Sequence, residues 1–274
     1  MRVTNLSFRY GRREPWILTE AGLTLSPGDV TEIVGPNGTG KSTLLRLLAG
    51  LLRPSTGMIA ERPDVIGYAP ERFPAAQPFT VTAYLRHMAA VQGTDPRRIG
   101  EWCERLGMAH LLRHPLPDLS KGSAHKVGLV QALMREPGLL ILDEPFAGLD
   151  AATRAELPRI IGEISTRGGI VVVSDHQGDL RSFPGLRRHE VRNRAISELS
   201  TGEAHSPHTA TDPVTAAGPV GAASSDTTAS PVTAGSPEGV VVLEVAVPVS
   251  KVEDLAGRLR AEGHAVRIAQ EPAK

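Results

Sequence analysis

The chain has one cysteine, Cys103, in 274 residues. That excludes an internal disulfide framework and a cysteine metal cluster, and it fits a reducing compartment. There is no excess of either charge: 30 Lys and Arg stand against 30 Asp and Glu, a formal net charge of zero. No diffuse basic field therefore argues for nucleic acid as a partner. Long apolar runs are missing too. Stretches such as Gly138 to Leu142 and Gly169 to Val173 fall far short of the ~20 residues with which a helix crosses a bilayer. No basic segment followed by an apolar one opens the chain, so the expectation is a protein that is soluble by itself. Lysine is scarce: of five residues, Lys41, Lys121 and Lys126 sit in or beside the motifs that carry chemistry.

The most informative stretch is Val30 to Gly50, VTEIVGPNGTGKSTLLRLLAG. A short apolar strand from Thr31 to Val34 leads through a glycine-rich turn into a helix with Leu44, Leu45, Leu47 and Leu48 on one face, stopped by Gly50. The residues between, Gly35, Pro36, Asn37, Gly38, Thr39, Gly40, Lys41 and Ser42, match the phosphate-loop pattern G-x-x-x-x-G-K-[ST] in its strand-before, helix-after context. Gly35, Gly38 and Gly40 would let the backbone curl with positive φ, so that successive N–H groups and the helix dipole face a phosphate. Lys41 would reach the β- and γ-phosphates, and the Ser42 hydroxyl would complete the shell of a Mg²⁺ ion. The expectation is nucleotide binding.

A second element lies about a hundred residues on. Leu139 to Leu142 reads as a buried strand ending at Asp143-Glu144-Pro145. An acidic pair there suits phosphoryl chemistry: Asp143 can hold Mg²⁺ through a water, and Glu144 can orient or deprotonate an attacking water. A third apolar run, Ile170 to Val173, ends at Ser174-Asp175-His176. At the C-terminal end of a parallel strand a histidine is placed for a ligand, although a lone histidine is more often structural. Tyr10, in a polar turn after the strand Arg2 to Phe8, is either an ordinary half-buried aromatic or a ring on which a base stacks.

Between these motifs, Trp16 to Leu25 reads as one or two strands, Ser26 to Asp29 as a turn, Leu52 to Gly57 as a turn and Asp64 to Ala69 as a strand ending at Pro70-Glu71. Helical periodicity from about Thr80 to Leu119 predicts a helical subdomain inserted in an α/β core, about residues 80–135. Leu119-Ser120-Lys121-Gly122-Ser123 then leads a helix through Met134, closed by Pro137-Gly138. Ala147-Gly148-Leu149-Asp150 precedes a helix from Ala151 to Thr166 with Asp150 as its N-cap, and Pro158 inside it predicts a kink or an early break. Residues 201–238 are almost entirely Ala, Thr, Ser, Pro, Gly and Val, the composition of a disordered linker. Residues 239–270 read as a small βαβ unit, with a capping box at Ser250 to Glu253, too small to stand without a docking partner.

Leu119 to Ser123, 23 residues ahead of Asp143 when counted from Ser120 and at a helix start, resembles the signature of ATP-binding-cassette (ABC) ATPases, usually written LSGGQ. Over about residues 1–200 the rest of the set matches in order. Tyr10 resembles the adenine-stacking A-loop residue, Gly35 to Thr43 Walker A, Leu139 to Glu144 Walker B, Ala147 to Asp150 the D-loop, and His176 the switch histidine. No Asn-Lys-x-Asp base reader of GTPase type is present. The resemblance implies an α/β fold, the P-loop NTPase cassette of ABC type with mixed sheet core, antiparallel β subdomain and inserted helical subdomain. It also implies a head-to-tail dimer in which Ser120 and the Gly122 backbone complete a partner's γ-phosphate site, with Asp150 close to the nucleotide. ATP and Mg²⁺ would be the ligands, Glu144 and His176 the catalytic pair. Lys121 and Ser123 depart from the usual Gly and Gln, and Glu71 stands where the Q-loop glutamine is usual. A carboxylate there could still meet magnesium-bound water.

The function implied is the ATPase subunit of a membrane transporter, peripheral on the cytoplasmic face of the cell membrane, with the permease on a separate chain. The short helical segment, Pro70-Glu71 and the LSKG signature look most like the export branch. The alternative is a soluble ABC ATPase acting on DNA or ribosomes. Those relatives tend to carry paired cassettes, a long coiled-coil insertion or a basic face, and none is visible in this sequence.

Overall fold

The computed structural model describes residues 1–199. The linker and βαβ unit expected beyond them lie outside the described residues.

Among the described residues, nine strands and five α-helices follow one another in the order β1 (Arg2–Phe8), β2 (Leu18–Thr24), β3 (Val30–Val34), α1 (Lys41–Leu48), β4 (Thr56–Ala60), β5 (Ile66–Ala69), α2 (Val81–Gln92), α3 (Arg97–Arg105), α4 (Lys121–Leu133), β6 (Leu139–Asp143), α5 (Ala151–Thr166), β7 (Ile170–Ser174), β8 (Arg187–Arg192) and β9 (Ala195–Leu199). Short 3-10 turns at Ala109–Leu111 and Leu116–Asp118 join α3 to α4. A six-stranded sheet has the order β5-β6-β7-β3-β8-β9 and a three-stranded antiparallel sheet the order β2-β1-β4. Among the described residues, only the β8–β9 pair of the larger sheet is antiparallel.

The strands of that sheet are apolar on both faces because both faces are covered. Leu139 and Ile141 of β6, with Ile170 and Val172 of β7, pack towards α1 and the small sheet. Leu140 and Leu142, with Val171 and Val173, pack into a second core with α2, α3, α4 and α5. The parallel register aligns the strand ends. Ile33 of β3 and Asp143 of β6 both pair with Ser174 of β7, so three strands end side by side and deliver their next residues to one edge of the sheet. This is the strand end at which α/β sheets bind ligands.

Two outcomes differ from expectation. The stretch Leu52 to Gly57 is more than a turn, since β4 starts at Thr56 inside it. Gly57 lies at φ 76°, and a Cβ there would overlap the backbone of Asn5 on β1, so only glycine fits this crossing. The early break at Pro158 does not occur, because α5 runs on to Thr166. Proline costs a helix interior ~3 kcal/mol, but Leu157, Ile160, Ile161 and Ile164 are all buried on one face. Each such side chain contributes about 1.5–3 kcal/mol on burial, and together they outweigh the lost hydrogen bond.

Candidate nucleotide site

The loop between β3 and α1 carries the three positive-φ glycines its sequence calls for: Gly35 at 141°, Gly38 at 78° and Gly40 at 107°. Two of them are also held by close approach. A Cβ on Gly35 would overlap the Val191 carbonyl of β8, and one on Gly40 would lie 2.7 Å from Cγ2 of Ile17. Gly40 caps α1 without a side-chain acceptor, which leaves the first N–H groups of the helix for an anion. Pro36, Asn37 and Gly38 are exposed at the tip, and Thr39 Oγ1 braces the loop by donating to the Pro36 carbonyl at 3.0 Å.

Lys41 is folded onto this loop. Its Nζ donates to the carbonyls of Gly35 at 2.8 Å and Pro36 at 3.0 Å. Burial holds the ammonium below the usual lysine range, against the opposing pull of the Glu144 and Asp143 carboxylates. A phosphate arriving at the loop would offer this cation an anionic partner in place of two neutral carbonyls.

At the strand ends the buried Asp143 accepts from two hydroxyls on Oδ1, Ser42 at 3.3 Å and Ser174 at 2.7 Å. Ser174 in turn accepts from the Glu144 backbone N–H at 3.1 Å, and the Ser174 carbonyl accepts from the same N–H at 3.0 Å. Glu144 itself sits at φ 53°, in the left-handed region, and there its side chain turns towards the loop after β7. His176 meets it twice: Nε2 is 3.2 Å from Oε1, and the backbone N–H donates to Oε2 at 3.3 Å. Burial pushes the Glu144 carboxyl up, and the His176 charge opposes the shift.

The donors around Asp143 fit a magnesium ion that arrives with a nucleotide. They are hard oxygens, and among the described residues no group of three or more His, Cys, Asp or Glu could hold a metal ion without the nucleotide. Mg²⁺ commonly binds through one or two protein oxygens, with phosphate and water completing its shell. Glu71 is not joined to this pair. Its half-exposed carboxylate has Arg72 as its nearest cation, at 3.9 Å.

Tyr10 lies over the start of α1, its hydroxyl 3.1 Å from Thr43 Oγ1 and its ring edge-on to Phe8 with centroids 5.0 Å apart. It remains 52% exposed, so ring surface is left for a base. Ser120 is the N-cap of α4, accepting from the Ser123 N–H at 3.2 Å and donating to Ser123 Oγ at 3.0 Å. Gly122 packs on the backbone of Gly148, whose carbonyl a Cβ on Gly122 would overlap. Asp150 caps α5 by accepting from the Thr153 N–H at 2.9 Å, and it forms an ion pair with Lys126 of α4. No hydrogen bond among the described residues joins Ser120, Gly122 or Asp150 to the phosphate loop of their own chain.

Comparison with known proteins bears on this arrangement. Residues 18–147 match the family described as ABC transporter. Over 174 residues the chain is 39% identical to the zinc import ATP-binding protein ZnuC of Cereibacter sphaeroides, covering 63% of this chain and 70% of that protein. The chain belongs to the ABC transporter family. It is also 39% identical over 160 residues to ZnuC of Pseudomonas aeruginosa, where it spans 58% of that protein's length. Among solved structures, the ABC cassette fold is matched by an "ATP binding subunit of ABC transporter" at TM-score 0.66 and 24% identity, over 73% of this chain and 89% of that one. The dimeric cassette MJ0796 in a post-hydrolysis state with ADP and phosphate matches at TM-score 0.64 and 21% identity, over 74% of this chain and 99% of that one.

The named relatives are import proteins, and this turns against the export branch expected for this ABC cassette. The features that suggested export were the short helical segment, LSKG and Pro70-Glu71, and none of them reads cargo directly. Two residues of the cassette's site had no place among the candidates. Ser174 links Asp143 to Glu144, and its signal was its place at the end of the strand that leads to His176. Lys126 holds Asp150, and its signal was lysine scarcity.

Proposed function

We propose that this chain is the ATP-hydrolysing subunit of an ABC importer, with a divalent metal ion of zinc type as cargo. The observation that carries the reading is the convergence of Lys41, Ser42, Asp143, Glu144 and His176 at the adjoining ends of β3, β6 and β7. The import direction and the cargo rest on the names of the relatives.

The phosphate loop and the uncapped start of α1 bind the phosphates through backbone N–H groups, with Lys41 neutralising the terminal charge. Tyr10 stacks on the base. Ser42 and Asp143 would hold a Mg²⁺ ion, which would supply charge neutralisation to the phosphates. Glu144 orients a water at the γ-phosphorus and takes up its proton as the bond to the β-phosphate oxygen breaks, releasing ADP and phosphate. His176 holds Glu144 in place from the other side. Ser120 and Gly122, at the start of α4, serve the nucleotide of a second ABC subunit in a head-to-tail dimer, which accounts for their lack of hydrogen bonds to their own loop. Closure on ATP and release after hydrolysis drive a separate membrane permease. The subunit works at the cytoplasmic face of the cell membrane, where ATP is available.

The test is a pull-down of tagged Glu144→Gln protein from native membranes in Mg²⁺-ATP, together with zinc uptake in cells lacking the chain. A co-purifying polytopic membrane protein and lost zinc uptake support the proposal. Normal zinc uptake removes the cargo. Capture of only ribosomal or DNA-associated proteins removes the transporter and favours a soluble ABC ATPase.

A further inference from the structure

The position of His176 depends on a loop with few anchors, and one side chain from another element supplies most of them. The loop leaves β7 at Ser174. The Asp175 carboxylate, 5% exposed, turns inward and accepts from the N–H groups of Gln177 at 2.8 Å and Asp179 at 2.7 Å. That folds the backbone around Gly178, which lies at φ 74°. From outside the loop comes Arg154 of α5. Its Nε donates to Asp179 Oδ1 at 2.7 Å and its Nη2 to Asp179 Oδ2 at 3.0 Å, a two-point grip on the carboxylate. The same Nη2 donates to the side-chain oxygen of Gln177. Among the described residues, the hydrogen-bond partners of His176 itself lie on Glu144 alone.

We propose that Arg154 is a positioning residue for His176. It fixes both residues flanking Gly178 to the first turns of α5, and so sets where the imidazole meets Glu144. The grip requires a planar fork with donors on one edge and a third donor reaching further, which arginine has and lysine lacks. Arg154 also ties His176 to the start of α5: its N–H donates to the Asp150 carbonyl at 2.9 Å, one helical turn back. Asp150 caps that helix and pairs with Lys126 of α4. A shift of α4 or of the Asp150 turn therefore reaches His176 through one rigid turn of helix and one guanidinium.

This inference rests on the proposed role of His176 in ATP hydrolysis, and the test separates the two. Full-length wild type, Arg154→Met, Arg154→Lys, His176→Ala and the Arg154→Met/His176→Ala double variant are compared for kcat and KM with Mg²⁺-ATP and for Tm. Arg154→Met is expected to lower kcat about tenfold with KM within about twofold, the cost of a misplaced group far from the substrate. Arg154→Lys restores part of the loss. In the His176→Ala background, Arg154→Met is expected to change kcat by less than about twofold, because the route through which it acts is gone. A second tenfold loss there overturns the inference, as does an Arg154→Met protein with wild-type kcat. A readout independent of turnover is the His176 ring resonance in histidine-labelled protein, assigned by its disappearance in His176→Ala. It moves in Arg154→Met and returns towards the wild-type position in Arg154→Lys if the inference holds, and a resonance unmoved in Arg154→Met overturns it. Wild type without turnover, combined with a resonance that moves, removes the proposed function and leaves the positioning role standing.

Discussion

His176 touches Glu144 with both ring and backbone, Nε2 at 3.2 Å from Oε1 and N–H to Oε2 at 3.3 Å. One residue thus sets the direction of the carboxylate and faces its charge. Glu144→Gln keeps the shape and the backbone contact but cannot take up a proton. Turnover is expected to fall about 10²–10⁴-fold, the range for loss of a general base, with ATP affinity unchanged. Single-turnover ATP hydrolysis beside an equilibrium binding titration checks both halves.

Lys41 spends its hydrogen bonds on the loop that would carry the phosphates, with Gly35 and Pro36 as its two partners. Lys41→Ala removes a cation already pressed by burial, so the fold is expected to survive and the far-UV circular dichroism to match wild type. Affinity for a fluorescent ATP analogue is expected to drop at least about a hundredfold, close to 3 kcal/mol. Unchanged affinity would remove the loop as the phosphate site.

Gly122 and Gly148 meet backbone to backbone. Gly122→Ala places a methyl against a carbonyl that has no flexible end to move, so α4 and the turn before Asp150 must separate. The expected cost is about 1–3 kcal/mol, or a fall in Tm of roughly 2–12 °C at this chain length. Thermal unfolding of the variant measures it, and an unchanged Tm would show that the two segments part freely.

Lys126 beside Asp150 holds that carboxyl well below the usual aspartate range. The folded state therefore keeps the charge at pH values where the unfolded chain has taken up a proton. The pair gives its full stability above the ordinary aspartate value of ~3.9 and loses it as the pH falls below that value towards the depressed one. Asp150 is half exposed and screened by water, so the contribution is about 1 kcal/mol. Asp150→Asn keeps the N-cap acceptor and loses the charge. Urea midpoints of variant and wild type are expected to differ at pH 7 and to converge below pH ~4. A gap that stays constant with pH would assign the effect to the cap instead.

Tyr10→Phe separates the ring from its hydroxyl. It breaks the contact with Thr43 and leaves the face on which a base can stack. ATP affinity is expected to stay within about threefold for Tyr10→Phe and to fall about tenfold or more for Tyr10→Ala, since base stacking is worth about 1–3 kcal/mol. Equal losses in the two variants would place the interaction in the hydroxyl.

The elements that could be read ahead of the structure are those whose reason is local. Ile33, Leu44 and Leu48 flank a glycine-rich loop in one short stretch, and β6 and β7 are unbroken apolar runs because both their faces are buried. The strand β8, Arg-Arg-His-Glu-Val-Arg, carries no such signal. Two of its charges are met by residues far away in the chain, Arg187 by Asp29 at 2.8 Å and Arg188 by Glu32 at 2.6 Å, and Arg187 also meets Glu198 of the neighbouring β9 at 3.0 Å. β4 is half exposed and glycine-bearing, and pairing with β1 is what makes it a strand. The same holds at the site. The motif residues could be named from the phosphate-loop and acidic-strand patterns and, for Tyr10, Ser120, Asp150 and His176, from the family resemblance, but Ser174 between Asp143 and Glu144, and Arg154 behind His176, arise from pairings across 25 or more residues. Glu71 was named from the resemblance, as the residue at the Q-loop position, and its half-exposed carboxylate lies 3.9 Å from Arg72.

The sheet order puts β3, made early, between β7 and β8, made more than 130 residues later. On the ribosome the phosphate loop can be complete in sequence and still lack both flanking strands and the Val191 carbonyl that packs on Gly35. Nearly all of the first 192 residues must emerge before that loop is held from both sides. The exposed Val30 to Val34 edge must wait for its neighbours, a long-range closure of the slow kind that leaves nascent chains open to misassociation. Truncation before β8 should therefore yield chains that fail to retain nucleotide although every motif residue is present.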